Sequence, residues 1–305
     1  GGVRPPLEKM MPLLDKLREQ YGVGPLCSEL HIAPSTYYHC QQQRHHPDKR
    51  SARAQRDDWL KKEIQRVYDE NHKVYGVRKV WRQLLREGIR VARCTVARLM
   101  AVMGLAGVLR GKKVRTTISR KAVVAGDRVN RQFVAERPDQ LWVADSTYVS
   151  TWQGVVYVAF IIDVFAGYIV GWRVSSSMET TFVLDALEQA LWARRPSGTV
   201  HHSDKGSQYV SLAYTQRLKE AGLLASTGST GDSYDNAMAE SINGLYKAEV
   251  IHRKSWKNRA EVELATLTWV DWYNNRRLLE RLGHTPPAEA EKAYYASIGN
   301  DDLAA

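Results

Sequence analysis

The chain has 305 residues, 44% of them hydrophobic, and its 44 Lys and Arg against 33 Asp and Glu give a net charge of +11. That length and apolar content support a buried core and allow two domains, or one catalytic domain with smaller helical appendages. No stretch comes near the roughly 18 uninterrupted apolar residues of a membrane helix and no signal-peptide pattern opens the chain, so the composition predicts a soluble, cytoplasmic protein with no membrane partner. The three cysteines, Cys27, Cys40 and Cys94, are odd in number and lack metal-finger spacing, which argues against a disulfide framework and a zinc ribbon.

The charge is unevenly divided. Residues 1–140 carry 29 basic against 14 acidic residues, a net of +15, whereas residues 141–305 carry 15 against 19, a net of −4. Such asymmetry is expected where one region grips a polyanion and another does something else, although a solvated basic surface gives the same count.

From Leu7 to Arg44 the pattern is helical, and Gly24 to Tyr38 reads as a helix, a short turn and a second helix with Pro34 near its start. Residues 41–58 are polar and basic without apolar periodicity and read as a linker. A second helical block runs from about Trp59 to Leu105, and within it Gly76–Arg86, a turn at Glu87–Arg90 and Ala92–Met100 form a better helix-turn-helix candidate. Arg90, Arg93 and Arg98 cluster at and along its last helix, where they could reach phosphates. The stretch that follows, with Arg110, Lys112, Lys113, Arg115, Arg120 and Lys121, reads as an extended arm tracking DNA or as a solvated basic linker.

After Pro138 the pattern changes to runs rich in Val, Ile, Tyr and Trp. Strands are predicted at 141–150, 155–164 and 168–175, then a helix at 179–194, a strand at 199–203, a helix at 212–221, a strand at 223–227 and a helix at 236–250. This order implies a mixed five-stranded α/β sheet with flanking helices, preceded by an all-α helix-turn-helix region. The division is 1–55, 56–105, 106–137, 138–255 and 256–305: first helical segment, second DNA-binding domain, basic arm, catalytic core and helical tail.

Three acids stand out. Asp145 interrupts the first strand and Asp204 ends the fourth, and a buried carboxylate costs several kcal/mol unless it is paired or holds metal. Glu240 lies on the last core helix, where Asn236, Glu240, Asn243 and Lys247 share one polar face. Each has a bland reading as a solvated side chain; the set of three is what two-metal phosphoryl chemistry requires, with hard oxygen ligands for Mg2+ or Mn2+. His201 and His202, adjacent in a strand, point to opposite faces and read as structural, with His202 a possible support for a ligand.

These residues resemble the integrase core of bacterial insertion-sequence transposases, a ribonuclease-H-like group akin to retroviral integrases. The resemblance rests on Trp142 to Tyr148, His202 to Tyr209 and Tyr234 to Glu240, with thirty-five residues between Asp204 and Glu240. It extends over Val74–Trp81, Leu99–Leu105, Trp272–Arg277 and Leu282–Pro287, and Ser146 departs from it where relatives carry an apolar residue. It implies metal-dependent cleavage at transposon ends and strand transfer, with Asp145, Asp204 and Glu240 as ligands of two ions, double-stranded DNA as partner and a homo-oligomer on DNA. It also implies DNA contact by Lys247, while Asn236 would position Glu240 or a phosphate, or cap its helix. A catalytically inactive DNA-binding regulator and a plain ribonuclease-H-type nuclease are the alternatives. Cys27, His31, His39 and Cys40 depart in order and spacing from an integrase zinc domain and read as packing residues.

Overall fold

The computed structural model describes residues 6–110, 135–203, 208–209, 211–227 and 233–304, and the side chains of 226, 227, 233–236 and 300–304 are excepted. The chain forms two compact units, residues 1–65 and 66–305. In the first, helices α1 (Leu7–Tyr21), α2 (Val23–Glu29) and α3 (Pro34–His45) enclose Met10, Met11, Leu14, Cys27, Ile32 and Tyr37. Pro34 starts α3, where a missing N–H costs little. The expected linker over 41–58 is shorter than its composition suggested. Gln41 and Arg44 both bond Asp15 on α1, which carries α3 on to His45, and α4 (Ala52–Glu70) already begins at Ala52.

The second unit begins within α4. Helices α5 (Val77–Arg86) and α6 (Arg93–Met103) bury Val80, Leu84, Val96, Leu99 and Met100, and the Trp81 indole N–H donates to the Val91 carbonyl at 2.8 Å, fixing the turn between them. Ala92, in extended conformation, precedes α6, and Gly104 ends it in the left-handed region at φ 71°.

The sheet contains β1 (Leu141–Thr151), β2 (Gly154–Asp163), β3 (Ile169–Ser175), β4 (Val200–Ser203) and β5 (Leu224–Thr227), in the order β3-β2-β1-β4-β5. The first three strands form an antiparallel meander, while β4 and β5 run parallel to β1. Side chains alternate across the sheet, so even positions of β1 face one layer and odd positions the other. Trp142, Ala144, Ala159 and Ile161 pack with α7 (Thr180–Arg194) and α8 (Leu212–Glu220). Gly171 lets α7 lie close on β3, because a Cβ there would sit 2.2 Å from the Ala186 carbonyl oxygen.

The opposite face carries α9 (Ser233–Glu249) and α10 (Arg259–Asn275). Phe160 meets Tyr246 of α9 edge-on at 5.1 Å between ring centroids, and Trp269 of α10 lies 5.3 Å from Tyr246. Edge-to-face aromatic packing of this kind adds to the area it buries. The Tyr246 and Thr266 hydroxyls are 2.7 Å apart. Beyond α10, α11 (Pro287–Ala304) brings Glu291 to Arg194 of α7 at 2.8 Å.

The tail motif Trp272–Arg277 proves to be a clamp. The Trp272 indole N–H donates to Asn71 Oδ1, the Tyr273 hydroxyl to the Gly167 carbonyl, and Asn274 both accepts from and donates to the Ile169 backbone. Arg277 forms a bidentate ion pair with Glu249 at the end of α9, both side chains about 95% buried, and Glu249 also accepts from the Trp269 indole at 3.0 Å. The Tyr75 hydroxyl takes the Leu278 N–H at 2.9 Å, so the segment before α5 is tied to the same tail.

Breaking one side of a buried ion pair leaves an uncompensated charge and costs about 3–5 kcal/mol, whereas replacing both partners with apolar groups is often neutral. Glu249→Ala and Arg277→Ala should each destabilise by about that amount in chemical denaturation, and Glu249→Leu/Arg277→Met by much less. Losses below about 1 kcal/mol in both single variants would contradict the anchoring role. A second expectation concerns His201, which is buried against the Tyr214 hydroxyl at 2.8 Å and whose pKa desolvation lowers from 6.5 to about 4. Between those values the unfolded chain binds a proton that the folded one refuses, so this contribution is intact above pH 6.5 and is lost on acidification. Melting from pH 7 to pH 5 should show about 2 kcal/mol of loss that His201→Asn abolishes, and an equal loss in the variant would exclude His201 as its source.

Candidate active site

Asp145 follows Ala144 on β1 and pairs with Phe160 of β2, so alternation turns its side chain toward α9. There the Asn243 Nδ2 donates to Asp145 Oδ2 at 2.6 Å, and the Ser146 backbone N–H donates to Asp145 Oδ1 at 2.8 Å. A carboxylate only accepts, so this bond fixes which end of the amide faces Asp145 and turns Asn243 Oδ1 away. That oxygen is buried and has no hydrogen-bond partner, in a residue only 7% exposed. Buried amide oxygens are seldom left unpaired, and one beside a carboxylate fits a site that receives a cation or its bound water.

Glu240 lies one helical turn before Asn243 and is exposed. Its helix is amphipathic for a local reason: Ala239, Ile242 and Tyr246 are buried against the sheet and α10, which leaves Glu240, Asn243 and Lys247 in one row along the side that borders β1. The structure therefore brings Asp145 and the Glu240-bearing face of α9 together. Asp204 lies outside the described residues; Ser203, just before it, pairs with Ala144, just before Asp145. Among the described residues there is no group of three or more His, Cys, Asp or Glu able to hold a metal ion. Of the three predicted ligands, Asp145 and Glu240 are among the described residues.

His201 faces α8 and is neutral core, while His202 pairs with Val143 on the opposite side of β4. Near the start of the chain, Cys27 is fully buried among apolar side chains and His39 bonds Gln43 at 2.9 Å. Asn243 is the residue that sequence reasoning left unassigned. Its signal was present in the polar face it shares with Glu240, but a polar face alone does not tell a supporting amide from a solvated one.

The predicted DNA contacts divide. Arg90, Arg93 and Arg98 are exposed at and along α6. Arg110 turns back onto α9, donating to the Ser241 carbonyl at 3.0 Å and to its hydroxyl at 3.3 Å. Lys112, Lys113, Arg115, Arg120 and Lys121 lie outside the described residues, as does the side chain of Asn236. Lys247 is half-buried in a groove beside β1. Behind α9, a cavity of about 510 Å³ is lined by Lys79, Arg110, Ser241 and Glu249, and burial there, with Arg277 nearby, lowers the Lys79 pKa to about 8. None of Asp145, Glu240 or Asn243 lines it.

Comparison with known proteins agrees with this architecture. An HTH-like domain family matches residues 55–113, and integrase core domain families match residues 135–233 and 221–287. The chain is 99% identical over 296 residues to the transposase for insertion sequence element IS629 of Shigella sonnei, which covers 97% of this chain and 100% of that one. It is 54% identical over 273 residues to a putative transposase for insertion sequence element IS986/IS6110 of Mycobacterium tuberculosis, covering 87% of this chain and 96% of the relative. Among solved structures, an HTLV-2 integrase catalytic core domain in complex with magnesium aligns over 52% of this chain and 99% of its own at 14% identity, with a TM-score of 0.40. With near-identity over almost its whole length to one such protein, and an integrase core following an HTH-like domain, the chain belongs to the insertion-sequence transposases.

Proposed function

We propose that this transposase cuts DNA at the ends of its element and joins the freed 3′-hydroxyl to another phosphodiester, with Asp145, Asp204 and Glu240 holding two divalent ions, Mg2+ or Mn2+. The observation that carries the reading is the Asn243 amide, which holds Asp145 Oδ2 at 2.6 Å and leaves its own oxygen buried and unpaired one helical turn from Glu240. Hard oxygen donors of this kind suit magnesium-like cations. The chemistry such ions supply is activation of the attacking hydroxyl and stabilisation of the leaving oxygen in an in-line displacement.

The chain's own residues do the positioning. Asp145 is held from two sides, by the Asn243 amide and the Ser146 N–H, so it is ordered before any ligand arrives. Phe160, Tyr246 and Trp269 form a rigid apolar floor under α9, and the Glu249–Arg277 pair fixes its far end. Arg90, just ahead of α6, and Arg93 and Arg98 on it grip phosphates of double-stranded DNA, and the basic stretch through Lys112, Lys113, Arg115, Arg120 and Lys121 follows the same duplex. Asn236 and Lys247 extend the polar row of α9 toward the DNA. A homo-oligomer on DNA fits the need to act on two ends. The five segments bounded at 55, 105, 137 and 255 are the corresponding working parts, from helical front to helical tail.

The test is a strand-transfer assay with labelled duplex ends and Mg2+ or Mn2+. Cation stabilisation of transition-state charge is worth several kcal/mol, so Asp145→Asn, Asp204→Asn and Glu240→Gln should each lower cleavage and joining at least about a thousandfold while duplex binding persists. Appreciable turnover in Asp204→Asn would remove it from the ligand set; binding without cleavage in the unmodified chain would favour a regulator, and cleavage without joining a plain nuclease. A separate expectation concerns Asn243. Groups that hold a metal ligand typically contribute about 10–100-fold to metal affinity, so Asn243→Ala should weaken Mn2+ binding by calorimetry to that extent without unfolding the protein. Unchanged Mn2+ affinity would reduce Asn243 to a packing residue.

A further inference from the structure

The cavity of about 510 Å³ behind α9 takes no part in the chemistry above, although small-molecule sites have a similar size, about 300–1,000 Å³. Distant parts of the chain wall it. Met238, Ile242, Leu245 and Glu249 recur at helical spacing along one side of α9, and Lys79 on α5, the segment 107–110 and the tail around Arg277 enclose the rest. The Val108 N–H draws that segment in by donating to the Val74 carbonyl at 3.1 Å. At Gly107 the backbones touch, since a Cβ there would sit 2.7 Å from Gly76 Cα.

The charges on these walls do not balance. Lys79, Arg110, Arg277 and Arg281 line the cavity with Glu249 and Glu280, and both acids are already engaged, Glu249 by Arg277 and Glu280 by Arg78 at 2.7 Å. Among the described residues Lys79 has no ion-pair partner, and its Nζ lies 5.9 Å from the centroid of the Tyr75 ring. Arg110 donates to the neutral Ser241 carbonyl and hydroxyl, and Arg281 to the Ala166 carbonyl. Burial and the nearby Arg277 and Arg110, opposed by Glu249 and Glu280, hold the Lys79 pKa at about 8. Cations crowded into a partly desolvated space repel one another, and a bound anion relieves both costs. The surplus of two positive charges matches a phosphate monoester, which carries close to two negative charges, better than it matches a carboxylate.

We propose that this cavity binds a small organic phosphate, its dianionic head held by Lys79 and Arg110 and its apolar body lying against Met238, Ile242 and Leu245. Such a ligand joins α5, the segment 107–110 and α9 through one group, and so braces from behind the helix that carries Glu240. A phosphodiester of the DNA backbone carries a single charge and leaves one surplus cation uncompensated. The site stands apart from the catalytic reading, because none of Asp145, Glu240 or Asn243 lines it.

The test is calorimetric titration of the full chain with phenyl phosphate and, separately, with inorganic phosphate. Phenyl phosphate should bind about tenfold more tightly, because its ring meets the apolar side of α9. Lys79→Met should weaken it about tenfold, whereas Arg86→Met, which removes an equal charge outside the cavity, should not. Arg110→Gln, with the same expected loss, replaces Lys79→Met should that variant fail to fold. From pH 7 to pH 9 Lys79 loses its proton while phenyl phosphate stays a dianion, so affinity should fall about tenfold in the unmodified chain and hold steady in Lys79→Met. A saturating duplex should leave phenyl phosphate bound. No saturable binding, equal affinity for inorganic phosphate, equal losses in Lys79→Met and Arg86→Met, or an affinity independent of pH would overturn the site. Displacement by the duplex, with Lys79→Met weakening duplex binding more than Arg86→Met, would also overturn it and assign these cations to the DNA backbone.

Discussion

The buried pair between Glu249 and Arg277 is the constraint on which the position of α9 depends. Both side chains are almost wholly removed from water, and such a pair is tolerable only because the guanidinium meets the carboxylate through two donors while the Trp269 indole supplies a third. The pair fixes the C-terminal end of the helix that carries Glu240 and Asn243. A helix free to slide or roll by one residue would lose the 2.6 Å bond from Asn243 to Asp145.

The same tail holds the helical block that precedes the core. Asn71, Tyr75 and Arg78 reach Trp272, Leu278 and Glu280, each about 200 residues away in sequence. These contacts explain why a segment with the composition of a DNA-binding domain shares a compact unit with the catalytic sheet. Arg110 gives the junction a second attachment on α9.

At the site, rigidity and deliberate incompleteness coexist. The floor of Phe160, Tyr246 and Trp269 is packed and fully bonded, whereas Asn243 Oδ1 above it has no partner. Leaving an amide oxygen buried and unsatisfied costs free energy, and the fold accepts that cost beside the Asp145 carboxylate.

The sequence by itself determined the element order, the change of period after Pro138, the charge division between the halves and the family, because these are local patterns or motifs with fixed spacing. The strands and helices of the core fall within a residue or three of where alternation and helical spacing put them. Composition misled over 41–58, since polar residues stay helical when a distant carboxylate, here Asp15, receives them. Only the tertiary structure decided that Asn243 rather than solvent faces Asp145, that Arg277 is buried on Glu249, and that β4 pairs with β1 over Leu141–Ala144. Each of these depends on pairs 28 or more residues apart, and no periodicity within a single segment encodes which partner a polar side chain will meet.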